Sequence, residues 1–326
     1  MSGFGFGFGF SPLGALLNHL DWEAYWLSLI SATVENAAPT HVVLTFPEAQ
    51  SSLVNTDFTI AGFTIVSSSW AGSVLTLVLL YPVTSFSRNL TITFLKTLQT
   101  STVTNNVTTT SVAWFKSADG SSTYVTKGIT DLVSVWKDLS GNNRHLNQAN
   151  ETKQPTWKVD GILFPGVDEF LKTTPFTFNR PEEYFIVLQP LSWTDNDRII
   201  DGDLNNSAGL FQSTGTPDIN ISAGGGAGTS RNSGLTLTDF HILRLSIPAS
   251  GSVITQIDNN VPVDHGVGAS SNAGGITLAK YGGADAGFAH MKVKELIVRN
   301  SIADTPLRTA IYNYFAYEYG FFLITT

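Results

Sequence analysis

Apolar residues along this chain come in short runs rather than long helical stretches. Between Leu29 and Phe94 the runs are Leu29 to Val34, His41 to Phe46, Phe58 to Val66, Val74 to Leu80 and Leu90 to Phe94. Each is the length of a strand, and they recur about every ten residues, a spacing that predicts a β-sandwich. Pro39, Pro47, Asn55-Thr56-Asp57, Ala71-Gly72 and Pro82 separate them as turn residues do. The Ser/Thr/Asn-rich segment Thr100 to Thr110 reads as a last strand or a linker. Near the other end, Met291 to Val298 begins with the apolar/polar alternation of a half-buried strand. One helical period follows. Asp304 or Thr305 can cap it, Pro306 suits its first turn, and Leu307, Ile311, Tyr314 and Phe315 fall on one face. Gly320 stands where helices end, and Phe321 to Ile324 reads as a returning strand. The helix is expected against the second sandwich, with Tyr312, Tyr317 and Tyr319 nearer the surface. Upstream, Asp21 to Leu27 reads as a short helix capped by Asp21.

Between these regions the turn chemistry is more specific. Asp138 precedes Ser140-Gly141-Asn142-Asn143, where Gly and Asn tolerate positive φ and Asp138 can accept hydrogen bonds from turn amides. Trp136, on an apolar strand, is expected in the core. Gly166-Val167-Asp168 marks a second tight turn.

Two resemblances follow from these residues. The stretch from His41 to Phe94, with its runs HVVLTF, DFTIAG, VLTLVLLYP and NLTITF, resembles bacterial Ig-like repeats, which serve as spacers or stalks. WKDLSGNNRHL at 136–146, QPT at 154–156 and GILFPGVDEFL at 161–171 resemble the opening of concanavalin A-like lectin/glucanase domains of the laminin-G type. The segment from Ile276 to Phe321 resembles that family's final strands and closing helix. The resemblances imply an all-β chain: an N-terminal arm (1–28), an Ig-like β-sandwich (29–112) and a concanavalin A-like jelly-roll sandwich (113–326).

The arm changes the picture of function. Residues 3–10 alternate Gly and Phe, so an extended backbone places Phe4, Phe6, Phe8 and Phe10 in one stripe. Glycine costs backbone entropy and cannot pack, so the stripe suits a groove on another chain better than independent folding. The net charge is −8 and the first Lys or Arg is Arg88, which disfavours nucleic acid as a partner. No cysteine is present, which removes disulfide and thiolate chemistry. The start has no basic residue and its apolar run is broken by glycines, unlike a secretory signal, and no run is long enough to insert in a membrane.

Chemistry is sparse. A retaining glucanase of this resemblance needs carboxylates alternating on one strand, and no such string occurs; Glu182 and Glu183 are adjacent and point to opposite faces of a strand. The chain is therefore expected not to be an enzyme. The run Asp195 to Asn206 offers oxygens of the kind calcium takes, without EF-hand spacing, so a solvated hairpin is the favoured reading; no other cofactor is expected. Candidate sugar platforms are Trp157, Trp193 and Tyr281, each weighed against simple packing. The expected role is a bacteriophage virion structural protein: a head fibre, capsid decoration or adhesion appendage. It is assembled in the host cytoplasm and exposed on the particle, bound to capsid or other virion proteins through the arm, homo-oligomeric, and touching host surface glycans. A bacterial surface adhesin is the alternative, and a glucan hydrolase ranks below both.

Overall fold

The computed structural model describes residues 29–35, 40–47, 53–80, 83, 90–95, 98–105, 111–118, 120–214, 217–223, 230–258, 260–268 and 270–321. Phe4, Phe6, Phe8 and Phe10, the helix expected at 21–27, and all of the closing strand beyond Phe321 lie outside them. The fold is all-β, with Thr305–Tyr319 the one α-helix among the described residues. No described helix is long and apolar enough to cross a membrane. The chain divides into two compact units, Met1–Thr109 with Thr305–Thr326, and Thr110–Asp304.

In the first unit, a five-stranded sheet runs in the order Ile65–Ala71, Val74–Leu79, His41–Thr45, Ser31–Val34, Thr104–Asn105. A three-stranded sheet holds Phe58–Ile60, Thr91–Phe94 and Gln99–Thr102. Alternate residues of both sheets enter one core: Val42, Leu44, Leu75 and Leu77 from the first, Phe58, Ile60, Ile92 and Phe94 from the second. That is the period-2 burial of strands with one face covered. The Ser/Thr segment expected as strand or linker contributes two strands, through Asn105. The run Phe58 to Val66 is not one strand. It breaks at the 61–64 turn, where Gly62 takes φ +80°, and a new strand continues to Ala71 in the other sheet. Its far end is held by Trp70, whose Nε1 donates to the Leu53 carbonyl at 2.9 Å.

The helix occupies the expected residues and ends at Gly320, φ +70°. Ile311 and Phe315 are fully buried, as the apolar face requires. Two expectations change. The helix belongs to the first unit, where the Tyr317 ring lies against Gly62. Tyr312, expected near the surface, is buried, because the apolar stripe extends past the four residues that defined it.

The second unit contains two large antiparallel sheets. The eight-stranded one runs Thr156–Lys158, Gly161–Pro165, His290–Arg299, Glu182–Pro190, His241–Ile247, Ser252–Ile257, Val263–Gly268, with Ala113–Lys116 also paired to His290–Arg299. The unit's first and last strands are thus neighbours. The nine-stranded sheet includes Val133–Trp136, Leu146–Asn147, Leu171–Thr173, Thr277–Leu278, Arg198–Asp201 and Gly209–Gln212, in that order. One core joins them, with Trp136 fully buried and its ring 5.7 Å from Phe115. The strand Glu182–Pro190 is buried along nearly its whole length, which explains why its sequence reads as continuous rather than alternating.

Candidate functional site

A turn at one end of the nine-stranded sheet is built around Asp138, as its sequence implies. Oδ1 accepts from the backbone amides of Trp114 (3.0 Å) and Ser140 (2.9 Å), and Oδ2 from that of Arg144 (2.9 Å). The Asp138 amide donates to His145 Nδ1 at 3.0 Å, which leaves Nε2 as the donor of that ring. Gly141 and Asn143 take φ of +89° and +56°, the left-handed conformations their side chains permit. Asn142 closes the turn by donating from Nδ2 to the Ser111 and Val112 carbonyls at 3.1 and 3.0 Å.

This scaffold presents Arg144. Its Nη1 donates to the Val112 carbonyl at 2.9 Å, and its guanidinium lies 4.3 Å from the centre of the Phe176 ring. Phe176 stacks on Phe178 at 5.6 Å, and Phe178 meets Tyr184 edge-on at 5.9 Å, so the platform is braced by the core. Two cavities adjoin at Arg144. One, of about 390 Å³, is lined by Asn142, Asn143, His145, Asn147 and the segment Thr174–Phe176. The other, of about 320 Å³, is lined by Val112, Thr177–Arg180 and Asn300. Among the described residues no carboxylate lines either.

Two residues beyond Arg180, Glu182 is fully buried, and burial raises its pKa from 4.5 to about 7. The Ala273 amide (2.8 Å), the Tyr184 hydroxyl (2.9 Å) and Arg180 oppose that shift. Glu183 faces the other side of the strand, as adjacency requires, and binds Arg244 Nε at 2.8 Å.

The aromatic residues singled out from sequence lie outside these two cavities. Trp157 donates from Nε1 to the Ser117 carbonyl at 3.2 Å. Gly120 sits so close that a Cβ there would be 2.5 Å from its ring, and the Lys127 ammonium lies 4.8 Å from the ring centre. Trp193 packs against the core and donates to the Ser213 carbonyl at 2.9 Å. Tyr281 carries the Arg198 guanidinium 4.0 Å from its ring centre, and that cation is also 3.8 Å from the Phe211 ring. Arg198 is buried, and burial lowers its pKa, opposed by Tyr281 and Asp201. None of the three lines the cavities around Arg144.

The acidic run is not simply a solvated hairpin. Asp201 is fully buried and accepts from the amides of Gly202 (2.8 Å), Asn206 (2.9 Å), Ala208 (3.2 Å) and Gly282 (3.2 Å), while burial raises its pKa. Asp203 pairs with Lys172 at 2.8 Å. These carboxylates organise loops. Among the described residues no group of three or more His, Asp or Glu side chains could hold a metal ion.

No family model matches the chain, and no curated protein matches it. Solved structures do. A Trypanosoma rangeli sialidase in complex with 2,3-difluorosialic acid aligns at TM-score 0.47 and 12% identity, over 66% of this chain and 34% of that one. Domain 4 of a GH43 extracellular arabinanase from Geobacillus stearothermophilus, in complex with arabinotriose, aligns at TM-score 0.44 and 13% identity, over 62% and 98%. An arabinofuranosidase complexed with arabinofuranosyl-alpha-1,2-xylobiose aligns at TM-score 0.44 and 15% identity, over 64% and 60%. The chain spans about one third of the sialidases' length. The expectation that the chain is not an enzyme is corrected by this finding, since a sialidase and an arabinofuranosidase stand among its structural neighbours. At these identities and TM-scores the likeness names no reaction for this chain.

Proposed function

We propose that the second unit binds saccharides in the cleft around Arg144. The observation that carries this reading is the combination of two adjoining cavities, one guanidinium lying on a braced aromatic ring, and a rim of asparagine side chains. Sugars offer hydroxyls to such donors and acceptors, and C–H faces to aromatic rings. Asp138 holds the arginine's backbone in advance, which lowers the ordering cost of binding.

Within this reading the chain is a structural protein on the surface of a bacteriophage virion. The first unit serves as an Ig-like spacer and the second as a concanavalin A-like head. Phe4, Phe6, Phe8 and Phe10 anchor the chain to capsid or neighbouring virion proteins. What supports it is the Gly-Phe alternation of residues 3–10, which suits a socket on another chain. Many copies on one particle would turn weak glycan contacts into avidity.

The test has two arms. A glycan array probed with the full chain and with Arg144→Gln should show saccharide binding that the substitution removes; an array silent at high valency overturns the glycan reading. Deleting residues 3–10 should release the protein from particles, seen by electron microscopy, while both units stay folded. Full incorporation of the truncated chain overturns the anchor, and display on a bacterial surface instead of particles favours the adhesin. Release of reducing ends from any bound glycan shows whether binding is accompanied by hydrolysis.

A further inference from the structure

On the strength of the saccharide-binding reading above, we infer that the sugar taken by the Arg144 cleft carries a carboxylate, as a uronic acid does. The first ground is charge placement. The chain has 26 acidic against 18 basic residues, yet Arg144 and Arg180 both line this cleft and no Asp or Glu does among the described residues. In an acidic protein, a cleft lined by guanidinium groups and by no carboxylate among the described residues favours an anion over the surrounding surface.

The second ground is geometry. Arg144 donates through Nη1 to the Val112 carbonyl, and its other guanidinium N–H groups donate to no acceptor among the described residues. Its planar group lies on Phe176, which limits the side-chain freedom lost when a ligand binds. A guanidinium offers paired N–H groups in a flat fork, which matches the two oxygens of a carboxylate. A neutral sugar would leave that cation without a counter-charge. His145 Nε2, the Asn143 side chain and the Oδ1 atoms of Asn142 and Asn147, whose Nδ2 groups bond backbone carbonyls, remain for hydroxyls around the acid.

The experiment is titration calorimetry of the full chain with short oligogalacturonate and oligoalginate, their methyl esters, a neutral xylo-oligosaccharide of matched length, and a sulfated oligosaccharide. At least one uronate should bind, about tenfold or more tighter than its methyl ester, and more weakly as salt rises. Arg144→Gln should abolish this with little change in melting temperature, and Arg144→Lys should restore only part of it, because a point charge lacks the fork. Equal binding of ester or neutral sugar overturns the carboxylate inference and leaves the saccharide reading standing. Sulfate binding as tight as uronate also overturns it, since charge without carboxylate geometry then suffices. Silence toward these probes and toward a broad glycan array overturns both.

Discussion

Removing the Asp138 carboxylate tests how the cleft is held. Asp138→Ala strands three backbone donors at once. The Trp114 amide is in a buried strand, where a lost acceptor costs about 1–3 kcal/mol. The Ser140 and Arg144 amides are only half-buried, so water replaces the carboxylate there at about 0.5–1 kcal/mol each. The sum is about 2–5 kcal/mol of stability in the second unit. Asp138→Asn separates hydrogen bonding from packing. It keeps the volume and one oxygen, which can still accept from the Trp114 and Ser140 amides, but sets an NH2 group against the Arg144 N–H, so it should cost about 1 kcal/mol, less than alanine. Urea denaturation of the full chain gives the free energy, and amide hydrogen exchange at 114, 140 and 144 locates it. Glycan affinity should fall together with that protection, because Arg144 loses its backbone tether. The reasoning fails if Asp138→Asn stays within about 0.5 kcal/mol of the native chain with all three amides still protected.

Three further outcomes are expected. Glu182 has a folded-state pKa raised from 4.5 to about 7, so the folded state holds its proton more tightly than the unfolded chain. Its stabilising effect is present below pH 4.5 and is lost as pH rises through about 7, by about 3 kcal/mol in all. Glu182→Gln should remove that slope, and parallel stability–pH curves for the two proteins would contradict the assignment. Gly166→Ala should cost about 2 kcal/mol or more by thermal denaturation, since φ is +80° and the new Cβ would lie 2.8 Å from His290 Cβ. Gly141→Ala, also at positive φ but with open space around it, should cost only about 1 kcal/mol; equal losses at both sites would argue against the His290 clash. Trp136→Ala should lose about 3–5 kcal/mol by urea denaturation, and a loss below about 1 kcal/mol would contradict its full burial against Phe115.

Much of the secondary structure and little of the site was legible in the chain. Val42, Leu44, Leu75 and Leu77 announce their strands because alternation is a property of neighbours in sequence. The Phe58 to Val66 run misled for the same reason: apolar residues continue through a glycine turn that sends the chain to the other sheet. Trp157, Trp193 and Tyr281 looked like platforms because ring type is local information. Gly120 and Lys127 at Trp157, and Arg198 at Tyr281, come from distant segments. No local signal ties Arg144 to Phe176, although the turn carrying Arg144 was plain.

By itself, then, the sequence determined the all-β class, the helix ending at Gly320, the core position of Trp136 and the amide-binding role of Asp138. Each depends on period, turn conformation or hydrogen bonds spanning a few residues. Only the tertiary structure decided that Asp201 is buried as a loop organiser, that Tyr317 packs on Gly62, and that Arg144 meets Phe176 between two cavities. The Asp201 bond to Gly282 and the Tyr317 and Arg144 contacts join residues tens to hundreds of positions apart. They exist only once strand register has placed them side by side, and register depends on how both faces of every sheet are buried at once.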